Sequence, residues 1–117
     1  MRLLRLIPLL VLGSALLCAF QAPYPIGNGV SAPVAIYTPE PAYTPEAKDA
    51  RVEGEVWLAI VIDENGVPSE VSVKQSLEPT LDQRAVEAIR NWRFKPGMKD
   101  GEPVAVRATI SVHFKLL

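Results

Sequence analysis

The chain has 117 residues, enough for one domain at most, with 12 basic and 13 acidic side chains and a formal net charge of −1. Setting aside residues 1–22, which hold Arg2 and Arg5, leaves 12 − 2 = 10 basic against 13 acidic residues, a net charge of −3. A chain with no basic surplus cannot neutralise a run of phosphates, so nucleic acid is excluded as a partner class.

At the N-terminus, two arginines precede an apolar run from Leu6 to Phe20. The run is shorter than the ~20 residues a spanning helix needs, and Pro8 interrupts it. A charged start, an apolar middle and small residues afterwards form the pattern of a secretory signal peptide. Residues 1–22 are therefore expected to be a signal peptide, or a short signal anchor if left uncleaved. Ala19 and Ala22 are candidate last residues of a leader, and Pro23 disfavours cutting after Ala22. Cys18 is the only cysteine, and the large Leu17 before it argues against a lipidation signal. The mature chain then has no thiol, hence no disulfide and no cysteine metal site.

Residues 23–42 carry much of the chain's proline and are expected to be an extended arm or linker, with one short strand at VAIY (34–37). Thr44-Pro45-Glu46 reads as a helix start: a capping threonine, proline at the first helical position and an acid in the first turn. In 52–63, Val56, Leu58, Ile60 and Ile62 alternate with Glu55, Trp57, Ala59, Val61 and Asp63, which predicts a strand. The stretch DENG supplies a hairpin turn, with Asn65-Gly66 suited to positive φ. The returning strand opens on Pro68, which cannot donate to a ladder, so it belongs at a sheet edge. Thr80 and Gln83 match a capping box for a helix over 81–92, whose apolar stripe is Leu81, Ala85, Ala88, Ile89 and Trp92. The stretch NWRFKPG (91–97) then reads as the helix end, with Trp92 and Phe94 turned inward and Arg93 and Lys95 outward. A polar turn at 99–102 leads into the last strand, 104–117, which alternates throughout.

These elements predict a two-layer α+β domain over residues 43–117, with one apolar sheet face covered by the 81–92 helix and a short helix before the sheet. The segments PAY-x-PEAKDARVEGEV, VIDENGVPSEVSV, LDQRAVEAIRNWRFKPGMKDGEPV and VRATISVHFKL, in that order, resemble the C-terminal domain of the TonB family. The resemblance covers about residues 39–117. It implies a three-stranded antiparallel sheet of order 2-1-3, with the last strand beside the first. It also implies a periplasmic interaction module that binds outer-membrane receptors importing iron chelates and vitamins, a receptor segment joining the sheet as an added strand. By the same resemblance, residues 40–44 (Glu40, Pro41, Ala42, Tyr43 and Thr44) lie near the last strand and match the family's receptor-contacting stretch.

The chain departs from the family plan in three places. The N-terminal run is short and lacks the serine–histidine pair of the family's anchor helix, holding Ser14 but no histidine. The arm of about 20 residues reaches about 70 Å at ~3.5 Å per residue, marginal for joining two membranes. The family's proline just after the tyrosine is Thr44 here, with Pro45 one place later. The first two departures argue against coupling to the proton-driven complex of the inner membrane. An exported, periplasmic chain is expected, held at the inner membrane only if its N-terminus stays uncleaved.

The residues give their own reason for strand addition. If the last strand has a free edge, no proline in 104–117 blocks it, and an exposed edge is a template for another chain. The candidate contact residues are Val106, Arg107, Ala108, Thr109, Ile110, Ser111, Val112 and His113, together with 40–44. The alternative is that the arm covers this edge within its own molecule. A second alternative is a self-associating or structural domain, a homodimer hiding Trp57 and the last strand. No catalytic constellation appears: His113 has no orienting acid or nucleophile visible in the sequence. The pattern at Asp63 lacks the oxygen ligands of a calcium loop, and no cofactor or metal is called for.

Overall fold

Residues 22–117 are described by a computed structural model; the leader expected at 1–22, with Cys18, lies outside the described residues save for Ala22. In chain order the elements are β1 (Tyr24–Pro25), β2 (Val34–Tyr37), α1 (Pro45–Asp49), β3 (Gly54–Ile62), β4 (Pro68–Gln75), α2 (Pro79–Arg90), β5 (Arg93–Lys95), β6 (Gly97–Lys99), β7 (Glu102–Val104) and β8 (Val106–Phe114). Among the described residues no helix is long and apolar enough to cross a membrane.

The alternation in β3 sends Val56, Leu58, Ile60 and Ile62 to one face, all buried. That face receives Leu81, Ala85 and Ile89 from α2, along with Val112 and Phe114 from β8. Fully burying a side chain such as Leu58, Ile62, Leu81 or Ile89 contributes roughly 1.5–3 kcal/mol each, so this single layer contact is the main source of stability. The main sheet has the order β1-β8-β3-β4. It is four-stranded and mixed, because β1 pairs parallel with β8, whereas the sequence pointed to three antiparallel strands. The additional strand comes from the arm. Two small ribbons, β2 with β5 and β6 with β7, complete the structure.

Helix α2 starts earlier than the capping-box pattern suggests. Pro79 takes the first helical position, so Glu78 becomes the cap and accepts from the amides of Thr80 and Leu81 at 3.0 and 3.3 Å. Asp82 reaches back to the amides of Leu77 and Glu78 at 2.9 and 3.3 Å. The helix closes at Arg90, and Trp92 sits just beyond it, its ring 6.1 Å from that of Phe94. Phe94 is buried, as the reading of NWRFKPG requires; Trp92 is half-buried against the core.

The β3–β4 turn also differs in detail. Asp63 Oδ1 accepts from the amides of Asn65 and Val67, each at 2.9 Å, and only Gly66 takes a positive φ, +80°. Gly66 is required twice over. Its conformation disfavours a side chain, and a Cβ there would stand 1.9 Å from the Phe94 carbonyl oxygen. The Phe94 amide donates to the Gly66 carbonyl at 2.9 Å, so the hairpin tip is fixed to the chain leaving α2.

Candidate functional site

β8 has two sides. On one, it pairs with β3 over nine successive residues, from Val106 opposite Ile62 to Phe114 opposite Gly54, with no register shift. On the other, the Tyr24 amide donates to the Ala105 carbonyl at 2.9 Å, and Tyr24 and Pro25 register with Val106 and Arg107. Backbone groups alternate in direction along a strand. The odd-numbered residues therefore point their N–H and C=O groups away from β3, and the even-numbered ones point toward it. The Leu116 amide agrees with this parity, donating at 2.7 Å to Glu53 beside the start of β3.

This parity sorts the sequence-derived candidates. Val106, Ala108, Ile110 and Val112 spend their backbone groups on β3, and Val106 and Val112 are buried. Arg107 faces the other edge, where the arm occupies it. Thr109, Ser111 and His113 face the same edge, and among the described residues no strand pairs with them there. The edge is thus in part covered by the arm and in part without a strand beside it, each of the two alternatives holding over one stretch. It is covered at Val106 and Arg107 because β1 turns back onto it.

The second candidate group, 40–44, lies at the far end of this edge. Glu40, Pro41 and Tyr43 line one open groove with His113, Phe114 and Lys115. The Tyr43 ring meets Phe114 edge-on at 5.6 Å, and its hydroxyl donates to the Val52 carbonyl. Burial, and then the negative charge of Glu53, push the Tyr43 phenol pKa up. Ala42 is exposed and lines a different groove, between the arm and α2. Thr44 is not available to a partner through its side chain. It is buried, accepts from the Ala47 amide at 3.3 Å as the α1 cap, and shares a 2.8 Å hydrogen bond with the Thr80 hydroxyl.

Register also brings together what spacing did not show. Glu55 stands directly opposite His113 and approaches its Nδ1 to 3.5 Å, while the Ser111 hydroxyl lies 3.5 Å from its Nε2. All three side chains sit on the outer sheet face; the Glu55–His113 contact is open to water. Acyl transfer needs donors aimed at a developing oxyanion, and the outward amides of β8 lie in the plane of the sheet rather than over this face. On the same face, Ala59 and Val61 form an apolar column with Trp57, which is 36% exposed.

The family described as Gram-negative bacterial TonB protein C-terminal matches residues 39–116. Protein TonB of Xanthomonas campestris pv. campestris (strain B100) is 40% identical over 77 residues, covering 65% of this chain and 34% of that protein. Protein TonB of Vibrio cholerae serotype O1 is 39% identical over 82 residues, covering 66% of this chain and 32% of that protein. The chain thus spans about a third of the length of the curated relatives it matches. The solution NMR structure of the Pseudomonas aeruginosa TonB CTD aligns with a TM-score of 0.54 and 28% identity, covering 77% of this chain and 89% of that one.

Proposed function

Because this chain belongs to the family of Gram-negative bacterial TonB C-terminal domains, we propose that it is a periplasmic interaction module of TonB-dependent transport. It captures an extended segment of an outer-membrane receptor as an added strand on β8. The observation that carries this reading is the run of outward backbone groups at Thr109, Ser111 and His113, beside a groove that Glu40, Pro41 and Tyr43 also line. Main-chain hydrogen bonds supply affinity in such a complex, and alternate side chains supply register.

Titration with plug peptides of outer-membrane receptors tests it. Ser111→Pro removes an outward N–H and is expected to abolish binding while the fold survives. Unchanged affinity in that variant would sink the reading. Ile110→Pro is a poor probe of the edge, since the Ile110 backbone belongs to the β3 ladder. A second reading, a self-associating domain, draws on the apolar column of Trp57, Ala59 and Val61. Sedimentation distinguishes it: a stable dimer that dissociates on Trp57→Glu favours self-association.

A further inference from the structure

The partner-facing side of β8 is closed at one end by the chain's own arm. The ladder of β1 cannot run on toward Thr109, because past Ile26 the chain turns away. Gly27, Asn28 and Gly29 take φ values of +105°, +52° and +87°, and Gly27 and Val30 exchange backbone hydrogen bonds of 2.9 and 3.1 Å. This Asn-Gly turn is the conformation that two-residue hairpins favour.

The strap is anchored on both sides of that turn. Lys99 Nζ lies 4.4 Å from the centre of the Tyr24 ring. Val30 is buried, the Ser31 amide donates to the Met98 carbonyl at 3.0 Å, and the Met98 amide donates to the Ser31 hydroxyl at 2.9 Å. Further on, β2 pairs with β5, and the Trp92 indole N–H donates to the Pro39 carbonyl at 3.0 Å. On the strap's outer side, Pro25 has no N–H to offer, so the strap is a poor template for a further strand.

Resting on the strand-addition reading, we propose that this strap is a register stop. It confines an incoming segment to residues 109–113 of β8, and so selects a partner stretch of about five residues of alternating character. Positions opposite Thr109, Ser111 and His113 share the water-facing side and take polar residues. Positions opposite Ile110 and Val112 share the core side, where Ala108 and Ile110 are only partly buried, and take apolar residues.

The test uses the full chain with a strand of about nine alternating Thr and Val residues tethered to Leu117 by a flexible Gly/Ser linker, which holds it at ~mM effective concentration. Such a strand is long enough to reach Arg107. Amide hydrogen exchange is followed by NMR with and without the tether. The tethered strand is expected to slow exchange at Thr109, Ser111 and His113 by about tenfold or more while Tyr24 keeps its protection. Tyr24→Pro and Gly29→Val release the strap by different routes. In both, the Arg107 amide should exchange fast without the tether and slowly with it. Loss of Tyr24 protection when the strand is tethered to the unsubstituted chain, or an unprotected Tyr24 amide before tethering, overturns the stop alone. Fast exchange at 109, 111 and 113 in the unsubstituted chain and both variants overturns strand addition itself, and the stop with it.

Discussion

The β4 edge of the sheet begins at Pro68 and holds Ser69, Glu70, Ser72 and Lys74 exposed to water. Its pairing with β3 shifts register twice, between Trp57 and Leu58 and again between Val61 and Ile62. Two serine hydroxyls lean onto β3 carbonyls, Ser69 on Val61 at 3.3 Å and Ser72 on Ala59 at 3.4 Å. The β8 edge also exposes Arg107, Thr109 and His113, but it lacks the proline and the register shifts. It keeps one register for nine residues, contains no proline and is covered only at Val106 and Arg107. Proline, charge and bulges are the devices by which sheets refuse further strands. The difference teaches that the two edges are set apart by backbone regularity more than by hydrophobicity.

The sharpest break of this comparison is a pair of neighbouring prolines in β8. Ile110→Pro removes a donor from the β3 ladder within the core and is expected to cost about 3–5 kcal/mol, enough to unfold the domain in a thermal melt. Ser111→Pro faces outward and should cost about 1 kcal/mol. Equal losses would show that the assignment of outward and inward residues is wrong. Next in size is Gly66→Ala at the tip leading into the β4 edge. Collision with the Phe94 carbonyl and the left-handed φ should together cost roughly 2–4 kcal/mol in denaturant titration; a loss under about 0.5 kcal/mol would mean that the tip is not held against β5.

A smaller effect on stability, with a larger one on association, is expected for the double variant Glu70→Val, Lys74→Val. Unfolding should move by no more than about 0.5 kcal/mol, whereas light scattering should reveal concentration-dependent self-association once the charges are gone. A strictly monomeric double variant would show that these charges guard nothing. The smallest effect concerns Glu78, where β4 runs into the α2 cap. Hydrogen bonding to the Thr80 side chain, then to the Thr80 amide, holds its carboxyl pKa below the ordinary 4.5. A carboxyl with a depressed folded-state pKa stabilises above its unfolded pKa, and that contribution is lost as pH falls through the folded value. Acid unfolding should therefore be shallower below about pH 4.5 in Glu78→Gln than in the parent.

The strands β3, β4 and β8 and the buried stripe of α2 were legible because each repeats its own period over eight or more residues. The arm was not. Tyr24 and Pro25 form a strand only because β8 waits beside them, and Arg93–Lys95 and Gly97–Lys99 are too short for any period to show. The capping-box pattern points to Thr80, but Pro79, one residue earlier, takes the first helical position and moves the cap to Glu78. Of the candidate site, the strand was legible but not its parity. Which of Ile110 and Ser111 faces outward depends on a ladder, and one hydrogen bond from Tyr24 settles it. The neighbours of His113 were hidden for the same reason, since Glu55 meets it only through cross-strand register.

The position of β8 in the sheet also bears on when this domain can fold. The most C-terminal of the described elements is an inner strand, lying between β1 and β3, and Gly54 at the start of β3 finds its partner only in Phe114. A chain that emerges N-terminus first, from a ribosome or through a membrane, therefore exposes the β8-facing edge of β3 before its partner exists. Closure must span most of the domain's sequence, which delays folding. Completion of the sheet waits on Val106–Phe114, without which β1 and β3 have no strand between them.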